Sequence, residues 1–97
     1  MPISLTPRER SHLKARAHSL EPRVQVGQAG VTEALAKEVD RALTAHELIK
    51  VKIPGDDRDA RREIADAIAE RADAALVYSV GKVIVLWRPK PTDETDS

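Results

Sequence analysis

Between Ala75 and Arg88 the chain reads Ala-Leu-Val-Tyr-Ser-Val, then Gly81-Lys82, then Val-Ile-Val-Leu-Trp-Arg. Two short apolar runs separated by a two-residue turn containing glycine mark a β-hairpin, because glycine supplies the positive φ that such a turn requires. Strict alternation would place Leu76, Tyr78, Val80, Val83, Val85 and Trp87 on one face. Val77, Ile84 and Leu86 would share the other with Ser79 and Arg88. Both faces are mostly apolar, so neither can be left to water. The hairpin therefore predicts a sheet covered on both sides by helices.

The rest of the chain supplies those helices. Thr6-Pro7-Arg8-Glu9 combines an N-cap threonine, a proline at the first helical position and a glutamate placed for a capping box. Leu13, Ala17 and Leu20 recur at helical spacing, and Pro22 stops the run. A short strand, Val24-Gln25-Val26, precedes a second helix capped by Thr32, with Leu35, Val39, Ala42 and Leu43 as its stripe and an end near Ala45-His46. From Leu48 to Ile53 a strand points Ile49, Val51 and Ile53 one way and Lys50 and Lys52 the other. Pro54-Gly55 breaks it. Asp56 or Asp57 can cap a third helix, where Ile64 and Ile68, with Ala60 and Ala67 nearby, form a thinner stripe. The predicted order is α-β-α-β-α-β-β, an α/β (α+β) single domain with a mixed four-stranded sheet and three helices. It should occupy residues 1–90, and residues 91–97 read as a disordered acidic tail.

Composition excludes several chemistries. The chain has no cysteine, which removes disulfides and thiolate metal sites. No apolar run reaches the roughly 18 residues of a membrane span, and Met1-Pro2-Ile3-Ser4 does not open a signal peptide, so a cytoplasmic protein without membrane contact is expected. His12, His18 and His46 stand at no metal-binding spacing. Asp56, Asp57 and Asp59 lack the glycine and glutamate of a calcium loop and read as caps. Gly81-Lys82 is followed by valine where a phosphate-binding loop needs serine or threonine. No nucleophile or acid–base pair emerges, so neither a catalytic residue, nor a metal, nor a cofactor is expected.

Net charge is zero, with 16 basic and 16 acidic residues unevenly spread. Residues 1–55 carry nine Lys/Arg against six Asp/Glu, whereas residues 56–73 carry four against seven. A neutral total is therefore compatible with a basic face. The tetrapeptide Gly27-Gln28-Ala29-Gly30 lies between strand and helix, where a bare backbone meets helix N–H groups, a corner that suits a phosphate. Alone, two glycines three apart are a weak signal. With no Phe and only Tyr78 and Trp87 as aromatics, base stacking is unpromising, and an RNA contact would rest on phosphate clamping and charge.

Several separate motifs together resemble a known family. Leu5-Thr6-Pro7 through Ala17-His18 and Leu20, then Pro22 with Val24 through Thr32, resemble the YhbY family of CRM (chloroplast RNA splicing and ribosome maturation) domains. His46 through Ile53, Asp57-Arg58, and Gly81-Lys82 with Leu86-Trp87-Arg88-Pro89 continue the resemblance, which covers about Leu5 to Pro89. It implies an RNA-binding domain similar in fold to the C-terminal domain of the third bacterial initiation factor. Its expected partners are precursor large-subunit rRNA and the pre-ribosomal particle, bound by a monomer that assists ribosome assembly. The implied contact is the loop Gly27, Gln28, Ala29 and Gly30. Many relatives place a basic residue inside this loop. Here Gln28 and Ala29 stand there, so Arg16, Arg23, Lys50, Lys52 and Lys82 would have to supply the charge. The competing expectation is an adaptor that docks on ribosomal proteins or assembly factors without touching RNA.

Overall fold

The capping signals and apolar periods resolve into three helices and four strands in a computed structural model that describes residues 5–89. Helix α1 (Pro7–Ala17) starts on the expected capping box. The Glu9 amide donates to Thr6 Oγ1 at 3.1 Å, and the Thr6 amide donates to Glu9 Oε1 at 2.9 Å. Strand β1 (Pro22–Gln25) leads through the glycine turn to α2 (Glu33–His46), which Thr32 caps. Leu35, Val39 and Leu43 form the buried stripe of α2 at helical spacing. Strand β2 (Leu48–Lys52), helix α3 (Arg58–Ala72) and strands β3 (Ala75–Val80) and β4 (Val83–Trp87) complete the order. Asp57 rather than Asp56 caps α3. The acidic tail expected from residue 91 lies outside the described residues.

The sheet order is β1-β2-β4-β3, with β1 parallel to β2 and the other pairings antiparallel. Helix α2 bridges the parallel pair, as a crossover must. Helix α1 packs alone on one face, over β2, β4 and β3, while α2 and α3 cover the other. The core accordingly divides in two. Val24, Val26, Ile49, Val51, Ile53, Ile84 and Leu86 meet α2 and α3. Leu48, Val77 and Val85 meet Leu13 and Ala17 of α1, with Tyr78 and Trp87 packed around them. No helix among the described residues is long and apolar enough to cross a membrane.

Two expectations about faces are corrected. Strict alternation put Leu76 with Tyr78 and Val85, and Val77 with Ile84 and Leu86. Instead Leu76 packs with the α2–α3 cluster and Val77 with the α1 cluster. The cause is a β-bulge: Leu76 pairs Leu86 and Tyr78 pairs Val85, leaving Val77 as the extra residue. One inserted residue reverses the parity of everything beyond it. On α3, Ala65, Ile68, Ala69 and Ala72 are buried and Ile64 half-buried, whereas Ala67 faces solvent. Small alanines let α3 lie close to the sheet.

Candidate nucleic-acid interface

The β1–α2 connection closes on a single turn, in which the Gly30 amide donates to the Gly27 carbonyl at 3.1 Å. Gly30 has φ +76°, in the left-handed region that favours glycine, whereas Gln28 and Ala29 keep negative φ. Gly27 differs. Its φ is not positive, and a Cβ added there would meet nothing within 4 Å. Nothing inside the protein therefore demands glycine at position 27, although a backbone approaching from outside would benefit from the missing side chain. Gly27, Gln28 and Ala29 are exposed.

Beyond the turn, Thr32 Oγ1 accepts the Leu35 amide at 3.1 Å, which caps α2 at its third helical N–H. Glu33, in the first turn of α2, would repel a phosphate at this helix end. Its carboxylate is held by Arg71 Nη2 at 2.8 and 3.1 Å, so part of that charge is already balanced.

The basic residues expected to flank the turn fall into two groups. The Val26 amide donates to the Lys52 carbonyl and the Ile53 amide to the Lys82 carbonyl, which sets the glycine turn, Lys52 and Lys82 at one end of the sheet. Arg16 and Arg23 instead line a shallow hollow with Leu20, His46 and Leu48 toward the other end, the backbone of Arg23 itself running beside Lys50 and Val51. Leu48 and Lys52 bound β2, so the two ends are about 13 Å apart at strand rise. Lys50, half-buried, lies between them on the α1 side of the sheet. Its partner Val85 packs against α1, as does Val77. Arg16, Arg23, Lys50 and Lys52 form no ion pair among the described residues. Lys82 does, 3.5 Å from Asp56 in a solvent-exposed pair.

Lys14 belongs to the basic run Arg8, Arg10, Lys14 and Arg16 of the first helix but not to the residues expected to flank the turn, and its ammonium stands 5.0 Å from the Tyr78 ring centroid on the same side of the sheet. Arg58, which entered only through the motif Asp57-Arg58, and Arg61 and Arg62 were likewise outside the expected set. These share one face of α3 because they are spaced i, i+3, i+4, although the segment that carries them is acidic in sum. That spacing was the available signal.

Comparison with known proteins agrees with this architecture. The model of the CRS1 / YhbY (CRM) domain matches residues 5–88. An RNA-binding protein of Haemophilus influenzae is 42% identical over 86 residues, covering 89% of this chain and 87% of the relative. The "Probable RNA-binding protein YqeI" of Bacillus subtilis is 34% identical over 84 residues, covering 87% of this chain and 88% of its own. Among solved structures, that of protein SAV1595 from Staphylococcus aureus superposes with a TM-score of 0.80 at 30% identity, over 95% of this chain and 96% of that one.

Proposed function

Because the chain belongs to the CRS1 / YhbY (CRM) domain family, we propose that it is a non-catalytic RNA-binding protein of the cytoplasm that assists assembly of the large ribosomal subunit. The relatives named as RNA-binding proteins support the general reading. The observation that carries it in this chain is the pairing of an open glycine turn with cations that have no counter-charge among the described residues. Gly27 leaves room for a phosphodiester backbone, and Lys50 and Lys52, on the neighbouring strand, are unpaired among the described residues. An unpaired surface cation keeps its condensed-phase charge available, so each phosphate it meets releases a counterion from the RNA.

The turn acts as a backbone clamp. Gln28 contributes an amide and Ala29 a methyl group, so charge comes from Lys50, Lys52 and Lys82 near the turn and from Arg16 and Arg23 at the far end of β2. Precursor large-subunit rRNA, in the pre-ribosomal particle, is the ligand of this reading, bound by one copy of the chain.

The test is binding to protein-free precursor large-subunit rRNA at several salt concentrations, with Gly27→Asp beside the native chain. A side chain at position 27 meets open space and ordinary φ, so this variant keeps the fold, unlike a substitution at Gly30. We expect salt-sensitive binding by the native chain and at least about tenfold weaker binding by the variant, as one misplaced anion in a clamp of charge-assisted contacts entails. Equal affinities would remove the turn from the site. Absence of RNA binding at every salt, with association to protein-containing particles retained, would replace this reading by the adaptor.

A further inference from the structure

The opposite edge of the sheet holds a second concentration of positive charge. Between α3, the first half of α1 and the edge strand β3 lies a groove of about 480 Å³. Arg10, Arg58, Arg61, Arg62 and Lys82 line it, against a single lining carboxylate, Asp59. Asp56 stands at Lys82, outside the lining.

The five cations have different local partners. Arg10 Nη1 donates to the carbonyls of Leu76 and Val77, at the bulge. Arg61 Nη1 donates to the Gly55 carbonyl at 2.5 Å. Each is thereby held in place with further guanidinium N–H groups unspent, since guanidinium has five donors and no acceptor. The side chains of Arg58 and Arg62 form no hydrogen bond or ion pair among the described residues. Four guanidinium groups lining one groove repel each other, and nothing among the described residues requires Arg58 or Arg62 to be basic. Planar guanidinium forks match the oxygens of a phosphate bidentately, and a lining with five cations against one carboxylate favours a polyanion.

We propose that this groove is a second phosphodiester-binding site, engaged by the same RNA strand that the Gly27–Gly30 turn clamps. It rests on the RNA-binding reading above. The route between the two sites is continuous in charge. Lys52 borders the glycine turn through the Val26–Lys52 bond, the Ile53–Lys82 bond joins β2 to the hairpin turn, and Lys82 lines the groove. Across four strands the path spans about 14 Å, from three spacings of roughly 4.8 Å. The strand would therefore cross the end of the sheet, held at both edges.

The experiment compares the native chain, Gly27→Asp and the double variant Arg58→Gln/Arg62→Gln for binding to protein-free large-subunit rRNA across a salt series. Arg58 and Arg62 are exposed and their side chains unbonded among the described residues, so the double variant should fold, which unchanged urea unfolding of Trp87 fluorescence verifies. We expect its affinity to fall about tenfold or more at low salt, with the slope of log affinity against log salt shallower by about 1.5, close to two lost phosphate contacts. Native-like affinity and slope in the double variant, with binding lost in Gly27→Asp, would overturn the groove and leave the RNA-binding reading standing. Loss of particle association without any change in rRNA affinity would overturn it in favour of a protein ligand. No rRNA binding by the native chain would overturn both.

Discussion

Arg88 donates to the Asp40 carboxylate through Nη1 at 2.8 Å, and this pair ties the end of the sheet to the middle of α2. The same guanidinium also donates to the Ala72 carbonyl at 2.7 Å, the Asp40 carbonyl at 3.1 Å and Thr44 Oγ1 at 2.9 Å. One side chain, 19% exposed, thus joins β4's exit to α2 and to the C-terminal end of α3. Such a strap holds the two helices of one face in a fixed relation, which in turn fixes where each begins. The start of α2 adjoins the glycine turn and the start of α3 adjoins the arginine groove.

Replacing Arg88 by Met removes all four bonds and leaves the Ala72 carbonyl without its partner. Hydrogen bonds to charged groups are worth about 1.5–3 kcal/mol, and with solvent access at Asp40 the loss should be about 2 kcal/mol. Arg88→Lys should recover less than half, because a point charge cannot reach two helices in a fork. Urea unfolding followed by Trp87 fluorescence measures both variants.

Glu47 occupies φ 65°, ψ −45°, a backbone conformation that costs an L-residue energy and glycine little. The strain arises where α2 must end and β2 begin at once, with the Glu47 amide bonded to Leu43 and its carbonyl to the Arg88 amide. Glu47→Gly should raise stability by about 1 kcal/mol after the entropic cost of glycine is subtracted. In a domain of this size the melting temperature should rise by about 4–8 °C. A fall in calorimetric melting temperature would contradict the assignment of strain.

The Thr6 amide and hydroxyl hold the Glu9 carboxyl below its ordinary value of 4.5. A carboxylate with a lowered folded-state pKa stabilises the fold above its unfolded value, and that contribution disappears as pH falls through the folded value. Acidification below about pH 4.5 should therefore fray the first turn of α1 before the core unfolds. Amide exchange at Arg8 to Arg10 should report this fraying. In Glu9→Gln the acid-dependent step should vanish, with the start of α1 somewhat looser at neutral pH.

Lys82 makes an exposed ion pair with Asp56, and exposed pairs contribute about 0–1 kcal/mol. Lys82→Gln should leave the unfolding free energy within about 0.5 kcal/mol of the native chain. Its effect should emerge in RNA binding instead, as a salt slope shallower by about 0.7–0.9 for one phosphate contact. A large stability loss with an unchanged slope would make Lys82 a structural residue.

Local rules were enough for most elements. Thr6 with Glu9, Thr32 and Asp57 mark helix starts because a side-chain oxygen must meet orphan amides there, which depends on no distant residue. The hairpin turn was legible for the same reason, with Gly81 at φ 58°. The family resemblance drawn from the motifs agrees with the matched domain over residues 5–88. Period-two reading failed at Val77, because a bulge arises between strands and leaves no trace in one strand's alternation.

The sequence by itself determined the order of the elements, the caps and the need to cover both sheet faces, since these follow from nearest neighbours and from periodicity. Tertiary structure decided which helix covers which face and which charges meet. Strand order placed Lys52 and Lys82 at the same end as Gly27, while the packing of α1 over β2 brought Arg16 and Arg23 to a hollow beside Leu48. It also gathered Arg10 and the α3 arginines, about fifty residues apart in the chain, around one groove. Charge acts through space while sequence sums run along the chain, so a neutral total could conceal both surfaces.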